Sequence, residues 1–264
     1  MTGMAYWQEL TTTELQGLDR ESTVALLPVA AIEQHGPHLP LSTDLEINRG
    51  IVQNAMRRLE NAPRVLILPE LAIGDSLEHV AFPGTLSLRP ELLLALWTEI
   101  GRGVARAGLR KLVIFNSHGG QKGLVDQVAL RLRAEESMLV ARTSYFAFGI
   151  PAGLFADDEL ARGLHGGEVE TSLMLVLRPD LVRTEALEEF EGPGPGAILG
   201  PERPVGYAWM GQDLNAAGVC GNAAGADAER GRRLLDHLGR RLADLLVAMA
   251  DTPLSTLRQG PLEG

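Results

Sequence analysis

Hydrophobic positions along this chain fall into two patterns that alternate. Short, nearly continuous apolar runs, TVALLPVA (Thr23 to Ala30), RVLILPEL (Arg64 to Leu71), KLVIF (Lys111 to Phe115) and SMLVARTSY (Ser137 to Tyr145), read as buried parallel strands. Pro69 stops the second of them. Between the runs, apolar residues recur at helical spacing. Ile47, Ile51, Ala55 and Leu59 mark a helix that Thr43 or Asp44 can cap. Leu93, Leu96, Ile100 and Val104 mark another, with Pro90 in its first turn, and Leu124, Val128 and Leu132 a third. A short helix over Thr11 to Leu18 leads into the first strand, and His165 to Leu177 reads as a helix after a tight turn. Leu234, Leu238, Leu242, Leu245 and Met249 give the last helix a strong apolar face. Strands alternating with helices predict βα units, right-handed crossovers and a mostly parallel sheet covered on both faces.

Other stretches lack either period. Residues 74–88, with His79, Pro83 and Gly84, read as a loop, and so do the glycine- and proline-rich residues 192–206. The FGIPAGLFADDELARG stretch reads as mobile, and the tail after Asp251 as loosely ordered. Without a repeat or a long linker, residues 1–264 are expected to form one domain.

Composition narrows the function classes. A net charge of −10 with only scattered arginines argues against a nucleic-acid surface. The single cysteine, Cys220, allows no intramolecular disulfide and fits a reducing compartment. The N-terminus lacks the basic stretch and apolar core of a signal peptide, and no apolar run reaches the roughly eighteen residues of a membrane span. A cytoplasmic protein with no membrane partner is expected.

Candidate chemistry gathers in three clusters. The first strand runs straight into Glu33, His35, His38 and Asp44, with Gly36, Pro37 and Pro40 forcing a shaped loop. The strand period of two puts Glu33 and His35 on one face, and Asp44 opens the next helix and can turn back toward them. Carboxylates and imidazoles so arranged suit zinc, manganese or iron(II). The second cluster is Asn116, Ser117 and His118 with Gly119 and Gly120, again just past a strand. The third is His165, Gly166, Gly167, Glu168 and Glu170, whose acids also suit a helix N-terminus. His79 is a further candidate to line a pocket, and His237 reads as exposed. GPGPG is not a dinucleotide fingerprint, no GxSxG supports a serine triad, and Cys220 lacks the context of a nucleophile.

In order and separation, EQHGPHLPLSTD, NSHGG and HGGEVETSLML resemble the creatininase (creatinine amidohydrolase) family, with GTLSL (Gly84 to Leu88) and WMGQDLNAAGVCGNAAGADAERG also similar. The resemblance covers about residues 24–250. It implies a three-layer α/β/α fold, a homohexamer, and two divalent ions per subunit, zinc or manganese and in some members iron. It implies hydrolysis of a small-molecule, cyclic or otherwise non-standard amide. Carried over by position, Glu33, His35, Asp44 and His118 would be metal ligands, with Asp44 bridging. Creatininases proper carry a glutamate where this chain has Gly120, so another carboxylate is needed, and Glu168 is the expected replacement. Glu170 or His165 would protonate the leaving nitrogen, and His38 would orient a ligand or touch substrate. Other branches share these motifs: formamidopyrimidine deformylases and a peptidase trimming a modified peptide in mycofactocin maturation. A non-catalytic metal-binding member is the rival from another class.

Overall fold

The computed structural model describes residues 3–59, 65–194, 196–202, 205–258 and 260. Five strands form one parallel sheet: β1 (Met4–Tyr6), β2 (Val24–Val29), β3 (Val65–Ile67), β4 (Lys111–Asn116) and β5 (Leu139–Ser144), in the order β1-β3-β2-β4-β5. β2 and β4 are buried along their whole length, as unbroken apolar runs should be. Arg64, the expected start of the second strand, lies outside the described residues, and pairing beyond Ile67 is reduced to a bridge between Val29 and Leu71. The fourth strand starts at Leu139 rather than Ser137, because Ser137 is left-handed (φ 53°) and ends the helix before it.

Side chains alternate across the sheet and build two cores. Val24, Leu26, Val113 and Phe115 face α2 (Thr43–Met56), α6 (Glu168–Leu177) and α8 (Ala228–Asp251). Ala25, Leu27, Leu112 and Ile114 face α3 (Pro90–Arg106) and α4 (Lys122–Glu136). The result is three layers, helices on sheet on helices. Short helices α1 (Thr12–Gln16), α5 (Asp157–Arg162) and α7 (Gly211–Leu214) lie outside this frame. α5 lies within the stretch expected to be mobile.

Within the 192–206 loop, β7 (Leu199–Gly200) pairs with β8 (Val205–Gly206), while residues 195, 203 and 204 lie outside the described residues. β6 (Glu189–Phe190) pairs with β9 (Gly221–Asn222). The tail carries a 3-10 turn at Leu254–Thr256, and its residues 259 and 261–264 lie outside the described residues. Among the described residues no helix is long and apolar enough to cross a membrane.

The topology fixes where a site can form. β2 connects through α2 to β3 on one side, and β4 connects through α4 to β5 on the other. α2 and α4 cover opposite faces, so the loops leaving β2 and β4 part at their carboxyl ends and leave a crevice between them.

Candidate active site

The crevice is floored by three segments that the fold brings together. Residues 30–44 leave β2, Ser117 and His118 leave β4, and His165 to Glu170 enter α6. A fourth segment, the 74–88 loop, closes over them. It is fixed to the β2 exit by a bridge between Ile32 and Leu86 and by the Gln34 N–H donating to Thr85 Oγ1 at 3.0 Å. It is fixed to the β4 exit by the Asp75 N–H donating to Gln121 Oε1 at 3.2 Å. Its 3-10 turn, Leu77–His79, carries Glu78 and His79 into the site. The cavity holds about 280 Å³, with Phe146, Ile150, Leu160 and Leu164 along an apolar wall.

Asp44 lies at the centre. It sits in the first turn of α2 rather than at its cap, and the capping position is Ser42, with no side-chain cap bond. Thr43 is not the cap either; its hydroxyl donates to the Pro40 carbonyl at 2.7 Å. The Asp44 carboxylate is therefore free to face inward. Its Oδ1 is 3.6 Å from His35 Nε2, and its Oδ2 is 3.3 Å from His118 Nδ1. Glu33 Oε1 is 3.2 Å from the same His118 nitrogen, 3.8 Å from His79 Nε2 and 3.9 Å from His165 Nδ1. Glu170 Oε2 is 3.9 Å from His35 Nε2.

Second partners orient the rings. His118 Nε2 donates to the Asp75 carbonyl at 2.7 Å, which leaves Nδ1 as the electron-pair donor facing Glu33 and Asp44. His165 Nε2 likewise donates to the Gln34 carbonyl at 2.8 Å, leaving Nδ1 toward the cluster. Cys220 supports this, its N–H donating to the His165 carbonyl at 2.8 Å. Glu170 accepts from the Tyr145 hydroxyl at 3.0 Å and the Gly166 N–H at 2.8 Å.

These residues fit a metal site. Glu33 Oε2, His35 Nε2 and Asp44 Oδ2 are buried without a hydrogen-bond partner. Two donors at about 2.1 Å from one tetrahedral ion lie roughly 3.4 Å apart, close to the separations above. Among the described residues, ligand atoms converge within 4.8 Å in four sets: Glu33, His35 and Asp44; His35, His165 and Glu170; Glu33, His79 and His165; and Glu33, Glu78 and His118. The electrostatics agree. Burial alone would push His35 down, but the Asp44, Glu170 and Glu33 carboxylates together outweigh it and raise the imidazole to about 9. Burial is likewise overcome at His118, where Glu33 and Asp44 push the pKa well up. The cluster demands positive charge.

Two predicted site residues stand apart from it. Glu168 is not brought to the converging atoms; its carboxylate is ion-paired with Arg230, while Glu170 faces the crevice. His38 is buried beneath the site, its Nε2 2.9 Å from the Gly166 carbonyl and its ring stacked on Phe190. Burial pulls it down to about 4. His237 is half-buried rather than exposed, with Nε2 3.2 Å from the Phe148 carbonyl. Sequence reasoning missed Glu78 altogether; its only signal was an acid beside His79 in a glycine- and proline-bearing loop.

The creatininase (creatinine amidohydrolase) family model matches residues 8–246. The chain is 34% identical over 245 residues to the mycofactocin precursor peptide peptidase of Mycobacterium tuberculosis (strain ATCC 25618 / H37Rv), a match covering 89% of this chain and 90% of that one. It is 30% identical over 241 residues to the creatinine amidohydrolase of Pseudomonas putida, covering 84% of this chain and 88% of that one. A mutant creatininase solved in complex with creatine matches with a TM-score of 0.77 and 26% identity, over 94% of this chain and 99% of that chain. A Zn-Zn type mutant and a manganese form match with TM-scores of 0.75 and 0.76, each 27% identical over 94% of this chain, and over 98% and 99% of theirs.

Proposed function

The chain belongs to the creatininase family, and on that premise we propose that it is a metal-dependent hydrolase cleaving an amide C–N bond in a short peptide. The observation that carries the metal chemistry is the Asp44 carboxylate, whose two oxygens face two different buried imidazoles. That arrangement suits a carboxylate shared between two zinc or manganese ions. Glu33, His118 and Asp44 would hold one ion, and His35, Asp44 and Glu170 the other. Two such ions supply a nucleophilic water at neutral pH and polarise the amide carbonyl.

The chain's own groups then have distinct tasks. Glu170 accepts from both the Tyr145 hydroxyl and the Gly166 N–H, a fixed placement that suits a ligand better than a proton donor. His165 suits the proton transfer. Burial and the neighbouring His35 pull its pKa down, so it is neutral at pH 7 with Nδ1 open to the crevice. It can take up the proton released from water and pass it to the leaving nitrogen, without which that nitrogen departs poorly. His38 acts one layer out, holding the Gly166 carbonyl and so the turn whose N–H fixes Glu170.

The peptide reading rests on the stronger likeness to peptidases, 34% against 30%, and on the apolar wall, which suits a hydrophobic side chain. Hydrolysis of a cyclic amide is the second reading, favoured by the likeness to a creatinine amidohydrolase across 84% of this chain. The experiment is to load the protein with Zn²⁺ or Mn²⁺ and follow short hydrophobic peptides and creatinine side by side by mass spectrometry. Release of peptide fragments at a kcat/KM above that for creatinine is expected. Creatinine as the better substrate would sink the peptide reading.

A further inference from the structure

Gly120 leaves room that another residue fills. A Cβ built on Gly120 would collide with Glu78 Oε1 and lie 2.7 Å from His118 Nε2. The Glu78 carboxylate therefore occupies the space into which a side chain at position 120 would grow. It arrives there from a different loop, and the two cannot share it.

That loop is rigidly placed. Its attachments to Ile32, Gln34 and Gln121 tie it to both of the strand exits that build the site. Within the loop, the Ser76 N–H donates to Ser87 Oγ at 2.9 Å and the Leu88 N–H to the Gly74 carbonyl at 2.9 Å. Asp75 accepts from His118, so the residue orienting that ring lies three positions before Glu78. A ligand atom from each of Glu33, Glu78 and His118 falls within 4.8 Å of the others. In the same cluster, Glu33 Oε2 is buried and unpartnered.

We infer that Glu78 is a carboxylate ligand of the ion held by Glu33 and His118, completing from the 74–88 loop a shell that the glycine at 120 leaves open. This rests on the dinuclear reading above. It also reassigns the task that the resemblance left to Glu168, whose carboxylate is engaged by Arg230.

The test is metal content and affinity, measured by dialysis against Mn²⁺ followed by elemental analysis, in the parent, Glu78→Ala and Glu78→Gln. The parent should hold two ions per chain. Glu78→Ala should hold one firmly and the other roughly 100-fold more weakly, at least the loss that follows removal of an outer-shell partner. Glu78→Gln keeps the shape without the charge and should weaken binding of the same ion by at least roughly tenfold. One outcome overturns the inference: Glu78→Ala or Glu78→Gln, folded by circular dichroism, binding both ions as tightly as the parent. A parent holding a single ion would sink the dinuclear reading instead, and Glu78 would then stand or fall on whether Glu78→Ala loses that ion.

Discussion

Strand β4 buries charge at both ends, in opposite ways. At its amino end Lys111 is fully buried, and its Nζ donates at 2.6 Å to the Ala250 carbonyl in the last turn of α8. A cation there satisfies an orphan carbonyl and meets the negative end of the helix dipole. At its carboxyl end His118 meets Glu33 and Asp44, where buried carboxylate oxygens lack any hydrogen-bond donor. Among the described residues, the buried titratable side-chain atoms without a partner lie on Glu33, His35 and Asp44 within this cluster, apart from Nδ1 of the neutral His38 beneath it. A buried charge with its partner in place is a structural device. Buried charges left unpartnered in one cluster are costly unless something else neutralises them, and they mark the functional end.

The largest effect should come from the residue at the centre of that end. Asp44→Asn keeps the shape but halves the capacity to face two positive centres. Turnover should fall by roughly four orders of magnitude or more, as when one member of a catalytic unit is removed. At least one ion per chain should be lost on elemental analysis. Full activity with both ions retained would remove the distinction between the two ends.

Next in size is the response to metal. If the carboxyl end is unfinished without cations, metal-free protein should gain about 2.7 kcal/mol for each ion bound when divalent ion is supplied at a hundredfold excess over its Kd. The melting temperature should rise accordingly, and the rise should largely vanish in Asp44→Asn. An unchanged melting temperature in the parent would mean that the cluster is already satisfied.

The sheet, its flanking helices and most of the site were legible in the sequence because one physical signal served both. Continuous apolar runs mark the strands, and in a parallel sheet the residues immediately after such runs fall at the site-bearing end. Glu33, His35 and His118 are found this way. What stayed hidden needed rotation or distance. Residues two apart on a helix point about 200° around its axis from one another, so only one of Glu168 and Glu170 can face the crevice. Sequence does not give the phase. Glu78 lies in a loop where an acid looks like any solvated side chain, and its significance arises only when the 74–88 loop docks on both strand exits. The three residues of β1 are too few to show a period.

Acid sharpens the comparison further. His38 sits three residues from His35, yet burial pulls it down to about 4 while Asp44 helps to raise His35 to about 9. For a depressed histidine, the unfolded chain binds the extra proton first. The stability held by neutral His38 is thus full above its ordinary value of 6.5 and is lost as pH falls from there toward 4. Across that window the loss is about 3 kcal/mol. His38→Gln can keep a donor to Gly166 while removing the titration. In metal-free protein its denaturation midpoint should fall less steeply between those pH values than the parent's; parallel curves would show that His38 is not buried neutral.

The smallest effect should be found at the other end of β4. Lys111→Met preserves the length and apolar stem but withdraws the proton from the Ala250 carbonyl, leaving that acceptor buried. The cost should be about 1–3 kcal/mol, the usual penalty for a buried group deprived of its partner. Removing the desolvation cost of an ammonium works in the opposite direction and places the result toward the lower end of that range. Urea denaturation of the metal-loaded protein measures it. Because the amino end of the sheet is remote from the crevice, kcat/KM and metal content should stay at parental values. A tenfold loss of turnover in a folded, metal-replete Lys111→Met protein would mean that the two ends of the strand are coupled, and that burial of Lys111 serves the site as well as the fold.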